Sequence, residues 1–191
     1  MNFHLTVSIA SHIINKEVIP LLTVNELKLL LLQQPSACAE IKGSMSYPNL
    51  LGLANFYETS EGVLVLVRGK GLPFDAQSCG PAFFGMHIHE GSSCTGPNSN
   101  PFSDTGSHFN LYNCDHPMHT GDLPSLIGNH GDALMLVETS GFTVEEIIGR
   151  TIVIHARQDD FTTQPTGNSD DGIGCGVIVE GACLSGNLFF G

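Results

Sequence analysis

The chain contains no tryptophan, and its 7 Lys and Arg face 19 Asp and Glu, a formal net charge of −12 over 191 residues. So few cations argue against nucleic acid as a partner, because phosphate binding needs clustered Lys and Arg. They argue equally against docking on an anionic membrane surface. The same balance repels an anionic small molecule unless a site creates its own local positive field. Cys-x-x-Cys is also missing, which removes zinc ribbons and thioredoxin-type centres. The six cysteines, at 38, 79, 94, 114, 175 and 183, are too sparse for a disulfide-built scaffold. One or two structural bridges fit, and with them an oxidising compartment. No long apolar run is uninterrupted. The stretch ending in Leu29 to Leu32 is broken by Pro20, Glu26 and Lys28, and no basic residue precedes Lys16. That reads against a cleavable signal peptide and against a spanning helix. The expected location is therefore cytoplasmic by default, and extracellular or periplasmic if bridges form.

What is present is a turn-rich chain with an ordinary apolar share: 22 Gly, 10 Pro and 41% hydrophobic residues. At this length one medium β-domain with added segments fits better than two domains. The expected division is an N-terminal extension over 1–36, a domain over 37–182 and a tail over 183–191. Thr23 to Gln33 reads as one helix, with Glu26 three residues after Thr23 as in a capping box. From Ala37 onward, short alternating segments are separated by Gly, Pro and Asn. Leu51 to Tyr57, Val63 to Val67, Phe84 to His89, Leu134 to Val137, Ile152 to His155 and Cys175 to Val179 read as strands. Many short strands with long polar loops predict an all-β sandwich or barrel. The loop from Gly91 to Gly106 is long for a compact domain, which points to function.

Nine histidines lie at 4, 12, 87, 89, 108, 116, 119, 130 and 155. His87 and His89 are two apart on an expected strand, so both rings project from one face and can reach one ion. His155 closes a separate β-branched run and can present a third imidazole. His108, His116, His119 and Asp122 crowd one loop stretch. Three imidazoles and a carboxylate make a complete tetrahedral zinc set, and imidazole-rich surroundings also suit copper. His4, His12 and His130 fall outside these patterns, with His130 in a turn.

Five segments now carry a resemblance. Gly85-Met86-His87-Ile88-His89-Glu90, Gly106-Ser107-His108-Phe109-Asn110, His119-Thr120-Gly121-Asp122-Leu123, Gly149-Arg150-Thr151-Ile152-Val153-Ile154-His155 and Gly167-Asn168 through Cys175-Gly176-Val177-Ile178 occur in the order found in copper/zinc superoxide dismutases. The chain resembles that family over roughly residues 37 to 180. The resemblance implies an eight-stranded Greek-key β-barrel with long metal-binding loops. It implies copper held by His87, His89, His108 and His155, and zinc held by His108, His116, His119 and Asp122. His108 would then bridge the two ions and serve as the catalytic proton carrier. Asp159 would stand behind the ligands, hydrogen-bonded to one ring on each side. Cys94 and Cys175 would form the family's intrasubunit disulfide. The implied reaction converts superoxide to oxygen and hydrogen peroxide, and the implied assembly is a homodimer.

Two departures bear on that reading. His116 and His119 are separated only by Pro117 and Met118, a shorter step than the family uses. Such a step spans at most about 10 Å and still closes around one ion. The family's anion-guiding arginine is replaced by Gly172, preceded by Asp170 and Asp171. Arg157, two residues after His155, is the substitute the loop offers, while Arg150 reads as structural. The second reading is therefore a copper-binding, dismutase-like protein with low or no turnover. Cys38, Cys79, Cys114 and Cys183 have no assigned partners, although Cys79 and Cys114 lie near loops and are a candidate pair.

Overall fold

The computed structural model describes residues 23–78 and 80–183. Helix α1, Val24–Leu31, begins as expected with Thr23 and Glu26 in a reciprocal capping box. It belongs to a unit ending at Leu32, and the rest of the chain forms a second unit.

The second unit is an eight-stranded antiparallel barrel. Its strands are β1 Ala37–Gly43, β2 Leu51–Glu58, β3 Val63–Lys70, β4 Ala82–His89, β5 Asp122–Asn129, β6 Asp132–Thr139, β7 Thr151–His155 and β8 Gly172–Val177. They run side by side as β2-β3-β6-β5-β4-β7-β8-β1, and pairing of β1 with β2 closes the barrel. A two-residue strand β9, Val179–Glu180, extends the far side of β1. The β3-to-β4 and β6-to-β7 connections each cross over intervening strands, which is the Greek-key pattern. Closure leaves the eight strands without a free edge, which removes the aggregation hazard of an open sheet.

Alternation decides what goes inside. Val63, Val65 and Val67 of β3, Phe84, Met86 and Ile88 of β4, and Ile152 and Ile154 of β7 all enter one buried core. Each such side chain contributes roughly 1.5–3 kcal/mol when fully buried. The alternate residues on β4 and β7 are not part of this core, and His87, His89 and His155 are among them. Helix α2, Val144–Ile147, adds Val144 and Ile147 to the same core and starts with a second capping box, from Thr143 and Glu146.

Strands β1 and β5 were not among the expected runs. In β5 the sequence places Pro124 and Ser125 inside the strand. The pairing register with β4 shifts there, between Phe84 and Met86, so the missing Pro124 N–H falls where the ladder is already interrupted. Gly85, opposite the shift, instead donates its N–H to the carbonyl of Arg157 at 2.6 Å.

Two disulfides are present among the described residues. Cys94–Cys175 ties the first long loop to β8. Cys38–Cys183 ties β1 to the first residue of the expected tail. The candidate pairing of Cys114 with Cys79 is corrected: Cys114 carries a free, exposed thiol on a loop, and Cys79 lies outside the described residues.

The Cys38–Cys183 bridge spans 145 residues of sequence, so opening it frees much of the unfolded chain. Cys183→Ser should lower unfolding stability by about 3–5 kcal/mol. The mutation is made at 183 because Cys38 is fully buried, and a hydroxyl there would add a second penalty. Guanidinium unfolding of oxidised wild type and variant checks this, and equal midpoints would count against it.

Candidate metal centre

The outward face of β4 carries His87 and His89, and β7 ends in His155 on the neighbouring strand, with Met86 paired to Ile154 and His87 to Val153. On an exposed barrel wall these rings would be wet. They are instead buried, His87 completely, beneath two loops. The first loop, 90–121, folds back on β4: Phe109 donates to the carbonyl of Ile88, and Ile88 to that of Gly121, so His108 lies beside His89. The second loop, 156–171, is pinned by Gly85 to Arg157 and by the Asp159 N–H donating to Ser125 Oγ at 3.2 Å.

Hydrogen bonding fixes the tautomers of these rings. His89 Nδ1 lies 2.9 Å from the carbonyl of Gly106, and His155 Nδ1 lies 2.9 Å from the carbonyl of Asp170. A carbonyl only accepts, so both Nδ1 atoms carry protons. Burial, reinforced by neighbouring imidazoles, lowers the His89 pKa to about 3. Burial likewise lowers that of His155 to about 4. Both rings are then neutral near pH 7, and their Nε2 lone pairs face each other at 3.2 Å with no proton between them. His87 Nε2 meets Asp159 Oδ2 at 2.8 Å, which leaves His87 Nδ1 buried without a partner. His108 Nε2 is buried without a partner as well. Unpaired buried lone pairs are costly, and a cation among them removes the cost. The donor atoms of His87, His89, His108 and His155 all lie within 4.8 Å of one another.

A second group forms around the other nitrogen of His108. Its Nδ1 lies 2.8 Å from Asp122 Oδ1 and 3.4 Å from His119 Nδ1. His116 Nδ1 is 3.0 Å from Asp122 Oδ2 without hydrogen-bond geometry, and it too is a buried atom without a bonded partner. Donor atoms of His108, His116, His119 and Asp122 again lie within 4.8 Å of one another. The short step across Pro117 and Met118 therefore does not prevent His116 and His119 from converging. Asp122 is half-buried, which by itself raises its pKa. The hydrogen bond from His108 and the three neighbouring imidazoles outweigh that and hold the carboxyl below its ordinary value.

Asp159 connects the groups. Its Oδ2 accepts from His87 Nε2 at 2.8 Å and its Oδ1 from His116 Nε2 at 2.9 Å. A carboxylate between two N–H donors forces both rings to turn Nδ1 toward the donor clusters. Gly167 makes this possible: it has φ +66°, and a Cβ there would lie on the Asp159 carboxylate and 2.7 Å from His116 Nε2.

The other expected residues fall as follows. Arg157 is two-thirds exposed and pairs with Asp170 Oδ2 at 2.6 Å. Arg150 stacks over the Phe109 ring at 3.7 Å and donates to the carbonyls of Glu146 and Glu90, a structural placement. His130 occupies the β5–β6 turn, outside both clusters, and His4 and His12 lie outside the described residues. Gly172 packs tightly, since a Cβ there would stand 3.0 Å from both Phe102 and Val153. The carbonyls of Gly106 and Asp170, the Ser125 hydroxyl and Gly167 were not among the expected site residues. Backbone acceptors leave no mark in residue identity. Gly167 had a sequence signal only as the first residue of a segment that carries the resemblance, with no site role attached.

Two donor sets sharing one imidazole, with three of their buried nitrogens unpaired, suit two adjacent metal ions. The sequence matches the copper/zinc superoxide dismutase (SODC) family over residues 51–178, more than half of the chain. The chain belongs to this family. It is 34% identical over 168 residues to the Cu-Zn superoxide dismutase of Deinococcus radiodurans, covering 75% of this chain and 88% of that protein. It is 31% identical over 144 residues to Cu-Zn superoxide dismutase 2 of Aquifex aeolicus, covering 68% of this chain and 79% of that protein. It is also 35% identical over 128 residues to a Bacillus subtilis protein named superoxide dismutase-like protein YojM, covering 59% of this chain and 64% of that one. Among solved structures, a double mutant of a SOD-like protein from Bacillus subtilis matches with a TM-score of 0.61 at 27% identity, covering 76% of this chain and 98% of that one. The barrel and the copper- and zinc-binding character of the family agree with the two histidine clusters.

Two predictions follow from the hydrogen bonding. In metal-free protein, His89 and His155 stay neutral when folded down to about pH 4, but in the unfolded chain they gain protons below about 6.5. The unfolded state then binds more protons, so folding stability falls as pH drops from about 6.5 toward 4, by up to about 1.4 kcal/mol per unit for each ring. Denaturant midpoints of chelator-treated protein between pH 7 and pH 4 test the sign; a flat profile would contradict it. Gly167→Ala should push Asp159 off the rings and weaken metal binding by roughly 10–100-fold. Competition titration against a chelator reads this directly, and an unchanged affinity would show that Asp159 does not orient the ligands.

Proposed function

We propose that the chain is a superoxide dismutase, with copper held by His87, His89, His108 and His155 and zinc by His108, His116, His119 and Asp122. The observation that carries this reading is the pair of buried donor clusters joined by the two nitrogens of His108. Two superoxide ions and two protons give oxygen and hydrogen peroxide, one superoxide being oxidised and the other reduced. Copper, when bound, would supply the one-electron couple, and zinc, which has a single redox state, a fixed charge that holds the shared imidazole.

The residues supply the rest. His89 and His155, locked through Nδ1 to carbonyls, keep Nε2 aimed inward and cannot tautomerise away. Asp159 holds His87 and His116 in the complementary tautomer. His108 Nε2, which has no hydrogen-bond partner, is the atom that takes a proton and delivers it to peroxide. A recess lined by Glu90, Ser107, His108, Asn110, His119 and Thr166 opens on the side of the zinc ligands. Two disulfides support work in an oxidising compartment.

A second reading, a copper-binding dismutase-like protein with little turnover, is favoured by Gly172. Glycine offers no side chain there to draw an anion inward, and Phe102 and Val153 pack against the position. Arg157 is the candidate source of positive charge, and it is paired with Asp170.

The discriminating measurement is the dismutation rate of copper- and zinc-loaded protein against ionic strength. Wild type should exceed the free-chelate background and His89→Ala should fall to it. Arg157→Ala, which also uncovers the Asp170 charge, should be severalfold slower at low salt and converge with wild type at high salt. Wild-type rates at background would leave the copper-binding reading, and an unchanged salt dependence would remove Arg157 from the mechanism.

A further inference from the structure

His116 is gripped by the second loop in two ways. Its ring is held by Asp159, and its peptide is held by Gln164, five residues further along the same loop. Gln164 Nε2 donates to the His116 carbonyl at 2.6 Å, and Gln164 Oε1 accepts from the His116 N–H at 3.0 Å. The amide orientation is fixed by its partners, because the peptide offers one donor and one acceptor in known places. The two groups are 48 residues apart in sequence, so the clamp joins the loop 156–171 to the loop 90–121.

We propose that Gln164 is a positioning residue that sets metal affinity in the cluster of His108, His116, His119 and Asp122. The inference rests on reading that cluster as a metal centre. With the ring pinned at Nε2 and the peptide pinned at both polar atoms, His116 Nδ1 has little freedom except to face Asp122 Oδ2. Without the clamp the peptide is held only by its chain neighbours, and the ring pivots about Asp159. Nothing comparable grips His87, whose backbone is fixed by the β4–β7 ladder. The clamp therefore acts on one cluster and not on the other.

The test uses the full chain, stripped of metal and then titrated with Co(II) and, separately, with Zn(II) against a chelator. Copper affinity and the melting of metal-free protein are measured in parallel. Wild type should take up one Co(II) with a tetrahedral absorption spectrum. Gln164→Ala should lose roughly 10–100-fold in Zn(II) affinity, as loss of an orienting partner does, with an altered Co(II) spectrum. Copper affinity and metal-free melting should stay near wild type. Gln164→Glu, which keeps the shape and the acceptor but sets an oxygen against the His116 carbonyl, should lose affinity too. Gln164→Asn, too short to span the peptide, should not rescue.

Zn(II) affinity within about threefold of wild type in Gln164→Ala would overturn the proposal. So would a loss of affinity matched by an equal loss in copper affinity or in metal-free melting, since the role would then be general support. If wild type takes up neither Co(II) nor Zn(II), the metal-centre reading fails first, and the clamp's role with it.

Discussion

The site depends on one carboxylate. Asp159 is buried, and removing a carboxylate from water costs several kcal/mol unless donors surround it. Here His87 Nε2, His116 Nε2 and the Phe161 N–H, at 2.7 Å, all donate to it. Two of those donors belong to different donor clusters, so a single side chain fixes the tautomer in both. The surrounding chain is arranged to keep it in place: Ser125 accepts its N–H, Gly85 captures the loop at Arg157, and Gly167 leaves room for its oxygens.

The barrel makes this precision possible by dividing labour between faces. Along β4, Phe84, Met86 and Ile88 fill the core while His87 and His89 face outward. Anchoring the rings on a closed, hydrogen-bonded wall gives them little freedom to drift. Loops alone would not hold a donor cluster to fractions of an ångström. The loops act as walls, the first also supplies His108, His116 and His119, and each is tied down. Cys94–Cys175 packs with Phe102 and Val153 in a small apolar cluster beneath the first loop.

Most of this architecture was legible in the sequence where period and chemistry coincide. The β-branched runs at Val63 and Ile152 announced strands, and the His87–His89 step announced a shared face. Strand β5 was hidden because Pro124 sits at a register shift that only the pairing reveals. The Cys38–Cys183 bridge was hidden because connectivity is not encoded in cysteine spacing, and one partner lies in an otherwise featureless tail. The donor clusters were read from residue type and order, which the resemblance sharpened. Of what aims them, Asp159 came with the resemblance; the Gly106 and Asp170 carbonyls could not be read, because they are backbone atoms available at any residue. The Gln164 clamp is a tertiary contact between two loops, with no local pattern to signal it.

The chain's negative charge looks unfavourable for an anionic substrate, and Gly172 sharpens the difficulty. The composition of the site resolves it in the proposed reading. Six of its seven ligands are imidazoles; Asp122 is the only carboxylate among them, and Asp159 stands behind. Two divalent cations in such a set leave a net positive centre even after both carboxylates and a deprotonated His108 are subtracted. That field acts at short range, more strongly on a nearby anion than distant surface charges screened by salt. Arg157, paired with the Asp170 carboxylate, then matters less as a lone attractor than as the group that cancels that charge on the residue whose carbonyl accepts from His155. In the proposed reading, attraction of the anion thus rests on the ions that the two clusters would hold, and the surface needs only to avoid opposing them at the mouth of the site.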